Sequence, residues 1–201
     1  MLIAGLTGGM ACGKSFVARA FAELGCHIIE ADELGHEVMR RGGEAYDGVV
    51  KAFGTGILDA HGEIDRALVA PLVFDSPDDL ERLNAIIHPA VRAAARRQMD
   101  RAAAADPNAI VIYVAAILIE SGYYQEVDKI IVVACPREQQ IARSLERPGA
   151  TMSGVLARLD RQMPLEQKRS YADYLVDTGG TKEETLRQTE VVYRDLRRLA
   201  G

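Results

Sequence analysis

Eight consecutive residues, Gly8 to Ser15 (GGMACGKS), carry the densest chemistry in this chain. They satisfy GxxxxGK[ST], a spacing that wraps backbone N–H groups around an anion and adds an ammonium and a hydroxyl at the far end. Gly8, Gly9, Ala11, Cys12 and Gly13 supply the cradle. Lys14 is placed to neutralise the β- and γ-oxygens of a nucleoside triphosphate, and Ser15 to offer its hydroxyl to a Mg2+ ion bridging them, with Phe16 next in the opening helical turn. A positive φ at Ala11 would cost about 1 to 2 kcal/mol. Cys12 reads as a small filler beside phosphates rather than a nucleophile. The bland alternative is a glycine-rich turn that only links strand to helix.

Asp32 is the next residue suited to chemistry. It follows a short apolar run, at the strand end where open α/β folds bind ligands, and its carboxylate could take the proton of an attacking hydroxyl. A helix N-cap is an equally good use of it. Arg137, Arg143, Arg147, Arg158 and Arg161 crowd one stretch, either as a solvated helix face or as bidentate partners for phosphate.

These residues need elements to hold them. LIAGL before the glycine loop reads as a buried strand, Lys14 to Leu24 as a helix stopped by Gly25, His27 to Ile29 as a strand, and EADELGHEVMR as a helix with acids in its first turn. From Gly42 to about Asp106 the spacing is helical in short segments, with Gly54, Gly56, Gly62, Pro71, Pro77 and Pro89 as breakers and an alanine-rich helix from Ala93. Ala109–Ala115, Lys129–Ala134 and Tyr174–Val176 read as strands. Thr181 to Leu199 reads as an amphipathic helix with Leu186, Thr189, Val192, Tyr193 and Leu196 on one side. Strands separated by helices imply a parallel sheet. The 201 residues are 48% hydrophobic, enough for a core without staples, and the scattered Cys12, Cys26 and Cys135 suit a reducing, cytoplasmic setting. A net charge of -5 argues against non-specific nucleic-acid binding, and no segment reads as a membrane span.

In order and spacing, GLTGGMACGKS, EADELGHEV, GEIDRALVAPLVF, HPAVR, ESG and RQMPLEQKRSYADYLVDTGG resemble the bacterial dephospho-coenzyme A kinases over about residues 2 to 192. The resemblance implies an α/β P-loop fold like the nucleoside-monophosphate kinases, with about five parallel strands flanked by helices. It implies a core of residues 1–41, 107–136 and 171–201, a helical acceptor-binding insertion at 42–106 and a lid at 137–170. The implied activity is ATP-dependent phosphorylation of the ribose 3′-hydroxyl of dephospho-coenzyme A, the last step of coenzyme A synthesis. Carried over, Asp32 becomes the candidate base, His36, Arg66 and His88 acceptor-site residues, Arg143 and Arg147 lid arginines, and Thr178 to Gly180, with Gly179 at the centre, the adenine loop.

This chain departs from that family's pattern in places. Glu30-Ala31-Asp32 replaces Asp-x-Asp, Ala11 a glycine and Phe16 a threonine. Val114 to Glu120 stands where Asp-x-Pro-Leu-Leu-Phe-Glu is common, so an acid and a proline are gone. If that acid serves the Mg2+ shell, Glu30 or Asp32 must compensate or turnover is slow. The rival readings are another small-molecule or nucleoside-monophosphate P-loop kinase, and a nucleotide-binding protein with weakened catalysis. A GTPase-like switch is a third, but it lacks an NKxD element.

Overall fold

A computed structural model describes residues 1–74 and 76–201. Five strands, β1 (Leu2–Gly8), β2 (His27–Glu30), β3 (Ile110–Val114), β4 (Lys129–Ala134) and β5 (Tyr174–Asp177), form one sheet in the order β2-β3-β1-β4-β5. β1 pairs in parallel with both β3 and β4, and β4 with β5. The unalternating apolar runs have the expected consequence: all of β3, and all of β4 after Lys129, is buried, as in a sheet covered on both faces.

The cover comes from α1 (Lys14–Glu23), which carries Val17 and Phe21 into the core, and from the C-terminal helix. Between them in sequence lie α2 (Ala31–Met39), α3 (Tyr46–Phe53), α4 (Arg66–Phe74), α5 (Pro77–Ala105), α6 (Arg137–Leu145), α7 (Met152–Arg161) and α8 (Leu165–Arg169), and α9 (Lys182–Ala200) closes the chain. Phe21, Ile112, Ile131, Val176 and Leu196 meet in one core, where a fully buried side chain of this size contributes about 1.5 to 3 kcal/mol. No helix among the described residues is long and apolar enough to cross a membrane.

The chain divides into two compact units, Met1–Ile29 with Ala102–Gly201, and Glu30–Arg101. The first holds the sheet together with α6 to α9. The second starts at the last residue of β2 and continues into α2 at Ala31, so α2 belongs with it, ahead of the expected start at residue 42. Within it, Leu58 and Ile64 form an antiparallel bridge across a turn in which Asp59 Oδ1 accepts from His61 N at 2.8 Å and Glu63 N at 2.9 Å.

Two expectations need correction. Pro71 and Pro89 do not break helices; they lie inside α4 and α5. α5 continues because the lost bond of one proline, about 3 kcal/mol, is outweighed by an alanine-rich segment with a buried stripe at Val91, Ala95, Met99 and Ala102. Leu186 is 37% exposed rather than buried, and Thr185 and Thr189 take the inner side of α9 instead. They can do so because their hydroxyls are satisfied locally: Thr189 Oγ1 donates to Thr185 O at 2.8 Å, and Thr185 Oγ1 lies 3.1 Å from Thr181 O.

α9 begins with a reciprocal cap. Thr181 Oγ1 accepts from Glu184 N at 3.1 Å, and Glu184 Oε2 accepts from Thr181 N at 2.8 Å. Thr181→Ala is expected to lower unfolding free energy by about 1 kcal/mol, measured by urea titration, because α9 covers the sheet and cannot fray independently of it.

Candidate active site

The phosphate-loop candidate springs from the central strand. A Cβ on Gly8 would lie 2.2 Å from Val133 O, so only glycine lets β1 end this close to β4. A Cβ on Gly9 would meet Gln140 Oε1 at 2.6 Å. Ala11 adopts φ 55°, the sole positive φ at a non-glycine residue among the described residues, and so carries the strain expected from its type. The half-buried Lys14 arches back so that Nζ donates to Gly8 O at 3.2 Å and Gly9 O at 2.9 Å. Ser15 is exposed in the first turn of α1, a turn without acidic residues, and its hydroxyl has no partner among the described residues; Phe16 is half-buried.

Cys12 is fully buried, with its Sγ 3.4 Å from Cys135 Sγ at the end of β4. Hydrogen bonding to that sulfur, and then burial, push the Cys12 thiol far above its ordinary range, which suits a neutral filler and not a nucleophile. Burial likewise raises Cys26, to about 12.

The loop is tied to the segment after β5. Thr178 Oγ1 donates to Cys12 O at 2.8 Å and lies 3.2 Å from Ala134 O. Arg143, on α6, donates from Nη2 to Thr178 O at 2.8 Å and to Gln139 Oε1 at 2.9 Å, while Gln139 Nε2 donates to Gly179 O at 2.9 Å. Thus the phosphate-loop and adenine-loop candidates and Arg143 form one hydrogen-bonded group. An open pocket of about 420 Å³ adjoins it, lined by Asp177, Gly180, Glu184, Arg187 and Gln188. Arg147 lies just past α6; its side chain is exposed and meets no protein group among the described residues. Arg137 pairs with Asp160 at 3.3 Å, an exposed link between α6 and α7.

The second unit holds the remaining candidates. Asp32 is not the N-cap of α2: Glu30 occupies that position, and Asp32 is the second helical residue, exposed and with no side-chain partner among the described residues. His36 follows four positions later, which puts it on the same helix face. Its Nε2 meets Arg66 Nη1 at the start of α4. His88 is half-buried inside α5, and burial, followed by the charge of Arg92, holds its pKa below the ordinary value.

Sequence reasoning missed Thr7, Glu120 and Lys168. Lys168 is fully buried and pairs with Glu120 at 3.0 Å. The signal was in view, as a lysine in the RQMPLEQKRS block and a glutamate in ESG, but nothing local says that they meet. Val114, which stands in for an acid, is buried in β3.

A glycine-rich phosphate loop on the central strand of a parallel sheet defines a P-loop protein, and the fold is shared with Acinetobacter baumannii shikimate kinase (TM-score 0.56, 16% identity, 98% of this chain and 94% of that one). The family model for dephospho-CoA kinase matches residues 2–184. A dephospho-CoA kinase of Geobacter metallireducens is 44% identical over 195 residues, 97% of this chain and 96% of the relative, and one of Aquifex aeolicus is 40% identical over 194, 96% and 97%. A solved Thermus thermophilus protein superposes with TM-score 0.84 at 29% identity (97% of each chain), and a Campylobacter jejuni dephospho-CoA kinase with 0.72 at 24% (98% and 97%). The chain belongs to the dephospho-CoA kinase family, a family of ATP-dependent phosphotransferases.

His88 gives a pH prediction. Unfolded, it takes up a proton near its ordinary value of 6.5; folded, it resists protonation to lower pH. Its share of stability is therefore complete above about pH 6.5 and is lost as pH falls through the depressed folded value. His88→Gln is expected to flatten the acid side of the melting temperature–pH curve, and the His88 ring is expected to titrate below the ordinary value by NMR. A midpoint at or above that value would contradict the assignment.

Proposed function

We propose that this chain transfers the γ-phosphoryl group of ATP to the ribose 3′-hydroxyl of dephospho-coenzyme A, using the residues gathered above. The observation that carries this reading is the cradle from Gly8 to Ser15, with Lys14 already bent over it and Thr178 bonded to its Cys12 carbonyl. Phe16 N and Val17 N already donate to Gly13 O at 3.0 and 3.1 Å, so the earlier N–H groups of the loop and the positive end of α1 receive the ATP phosphates. Lys14 exchanges two carbonyls for the β- and γ-oxygens. The loop after β5, around Gly179, receives the adenine.

Asp32 accepts the proton of the attacking hydroxyl and orients it in line, a use consistent with its exposed carboxylate, which has no partner among the described residues. Arg66, beside an imidazole rather than a carboxylate, keeps its charge for an anionic acceptor. His36 and His88 complete that acceptor set. Arg143 holds α6 to the nucleotide loops, and Arg147 is left to neutralise charge on the transferring group and to exclude water. The exposed Ser15 hydroxyl suits Mg2+, which takes one or two protein ligands and completes its shell with water and phosphate oxygens. When bound, the ion would screen the charge on the β- and γ-phosphates. Three free, buried cysteines are in keeping with a cytoplasmic location.

With ATP and Mg2+, the purified protein is expected to form ADP only when dephospho-coenzyme A is added, with the new phosphate at the 3′ position by NMR. Transfer to AMP or shikimate with none to dephospho-coenzyme A would overturn the acceptor assignment. Nucleotide binding without transfer would favour the weakened-catalysis reading that the buried Val114 suggests.

Lys14→Ala is expected to reduce turnover by on the order of a hundredfold or more with the fold retained by circular dichroism. Asp32→Asn is expected to reduce kcat by roughly 10²- to 10⁴-fold while ATP still binds. A wild-type rate in Asp32→Asn would remove the base from the mechanism.

A further inference from the structure

Lys168 is the sole charged residue in the fully buried set among the described residues, and the mechanism above makes no use of it. Its Nζ donates to Ala116 O at 2.6 Å and lies 3.0 Å from Glu120 Oε1 and 3.3 Å from Oε2. Each of these partners is shared. Ala116 O also accepts from Thr7 Oγ1 at 3.3 Å, and Thr7 is the residue immediately before Gly8. Glu120 Oε1 also accepts from Met163 N at 3.2 Å, in the link between α7 and α8. One ammonium therefore joins three segments: the end of β1, the turn after β3, and the C-terminal foot of the arginine-bearing α6–α7 region.

A buried ion pair is weak evidence for stability, since well-packed apolar residues in its place often serve as well. What the pair supplies is direction. Two side-chain donors, Lys168 Nζ and Thr7 Oγ1, converge on the Ala116 carbonyl and so favour one orientation of that peptide in the turn. Glu120 in turn fixes the point from which α7 extends.

We propose that Lys168 is a positioning residue for phosphoryl transfer: through the Ala116 carbonyl and the Glu120 carboxylate it fixes the turn after β3 to the root of the phosphate loop and gives the α6–α7 segment a rigid foot. The proposal rests on the kinase reading given above.

The test separates charge balance from positioning. Lys168→Met alone strands the Glu120 carboxylate, whereas Lys168→Met with Glu120→Gln removes both charges and leaves the Ala116 carbonyl without its strong donor. The double variant is expected to melt close to wild type, yet to show a kcat about tenfold lower with KM for ATP changed less than about threefold, and faster hydrogen exchange over residues 115–122. A double variant with wild-type kcat and exchange would overturn the proposal, because restored charge balance would then restore everything. Should it not fold, Thr7→Val, which removes the weaker donor to the same carbonyl, is expected to lower kcat by a smaller factor; an unchanged kcat there would count equally against the idea. Wild type is measured first in the same assay. If it does not phosphorylate dephospho-coenzyme A, the kinase reading fails by itself, and the exchange measurement still decides whether Lys168 fixes the turn.

Discussion

The close approach of β1 to β4 at the carboxyl end of the sheet is the constraint on which the rest depends. Gly8 is in register with Val133, and a Cβ there would lie 2.2 Å from the Val133 carbonyl oxygen. β1 is hydrogen-bonded on both sides and buried along nearly its whole length, so the loop leaves the sheet from a point that cannot shift without breaking two ladders. A cradle of backbone dipoles is useful for catalysis only if it does not have to reorganise around charge. The left-handed Ala11 is affordable for the same reason, since a fixed origin and the α1 terminus over-determine the path between them.

Electrostatics then follow from what is kept neutral. The chain as a whole is acidic, with a net charge of -5, but the first turn of α1 contains no carboxylate and Lys14 stands at its start. A thiolate at Cys12 would oppose the phosphates directly. The neighbouring Cys135 sulfur and burial hold that thiol protonated, so the buried side chain at the tip of the loop adds bulk without charge. Lys14 meanwhile is held by the Gly8 and Gly9 carbonyls, which keeps the ammonium over the loop.

The loop and the sheet were legible in sequence because their information is local. GGMACGKS is contiguous, and β3 and β4 are unbroken apolar runs whose bounds match the expected strands to within a residue. What was not legible depends on partners far away in the chain. Thr178 reaches Cys12 across 166 positions, and Lys168 reaches Ala116 across 52. No spacing rule marks either pair. The prolines misled for a related reason: Pro89 was read as a breaker from its own chemistry, whereas the stripe from Val91 to Ala102 that carries α5 onward acts through burial. Asp32 could be weighed as cap or base from sequence, and the placement of Glu30 at the cap removes the first of these uses.

Arg66 shows how the choice of neighbour decides what a charge is free to do. A guanidinium has only donors, and the group it meets here is the imidazole Nε2 of His36 rather than a carboxylate. Had a carboxylate stood at position 36, the contact would have been an ion pair with little positive field left over. An imidazole acceptor orients the guanidinium and leaves its full charge unspent. Asp32 lies on the same face of α2 one turn before His36, exposed and outside this contact, so the second unit carries a carboxylate and a cation that do not neutralise each other in an ion pair.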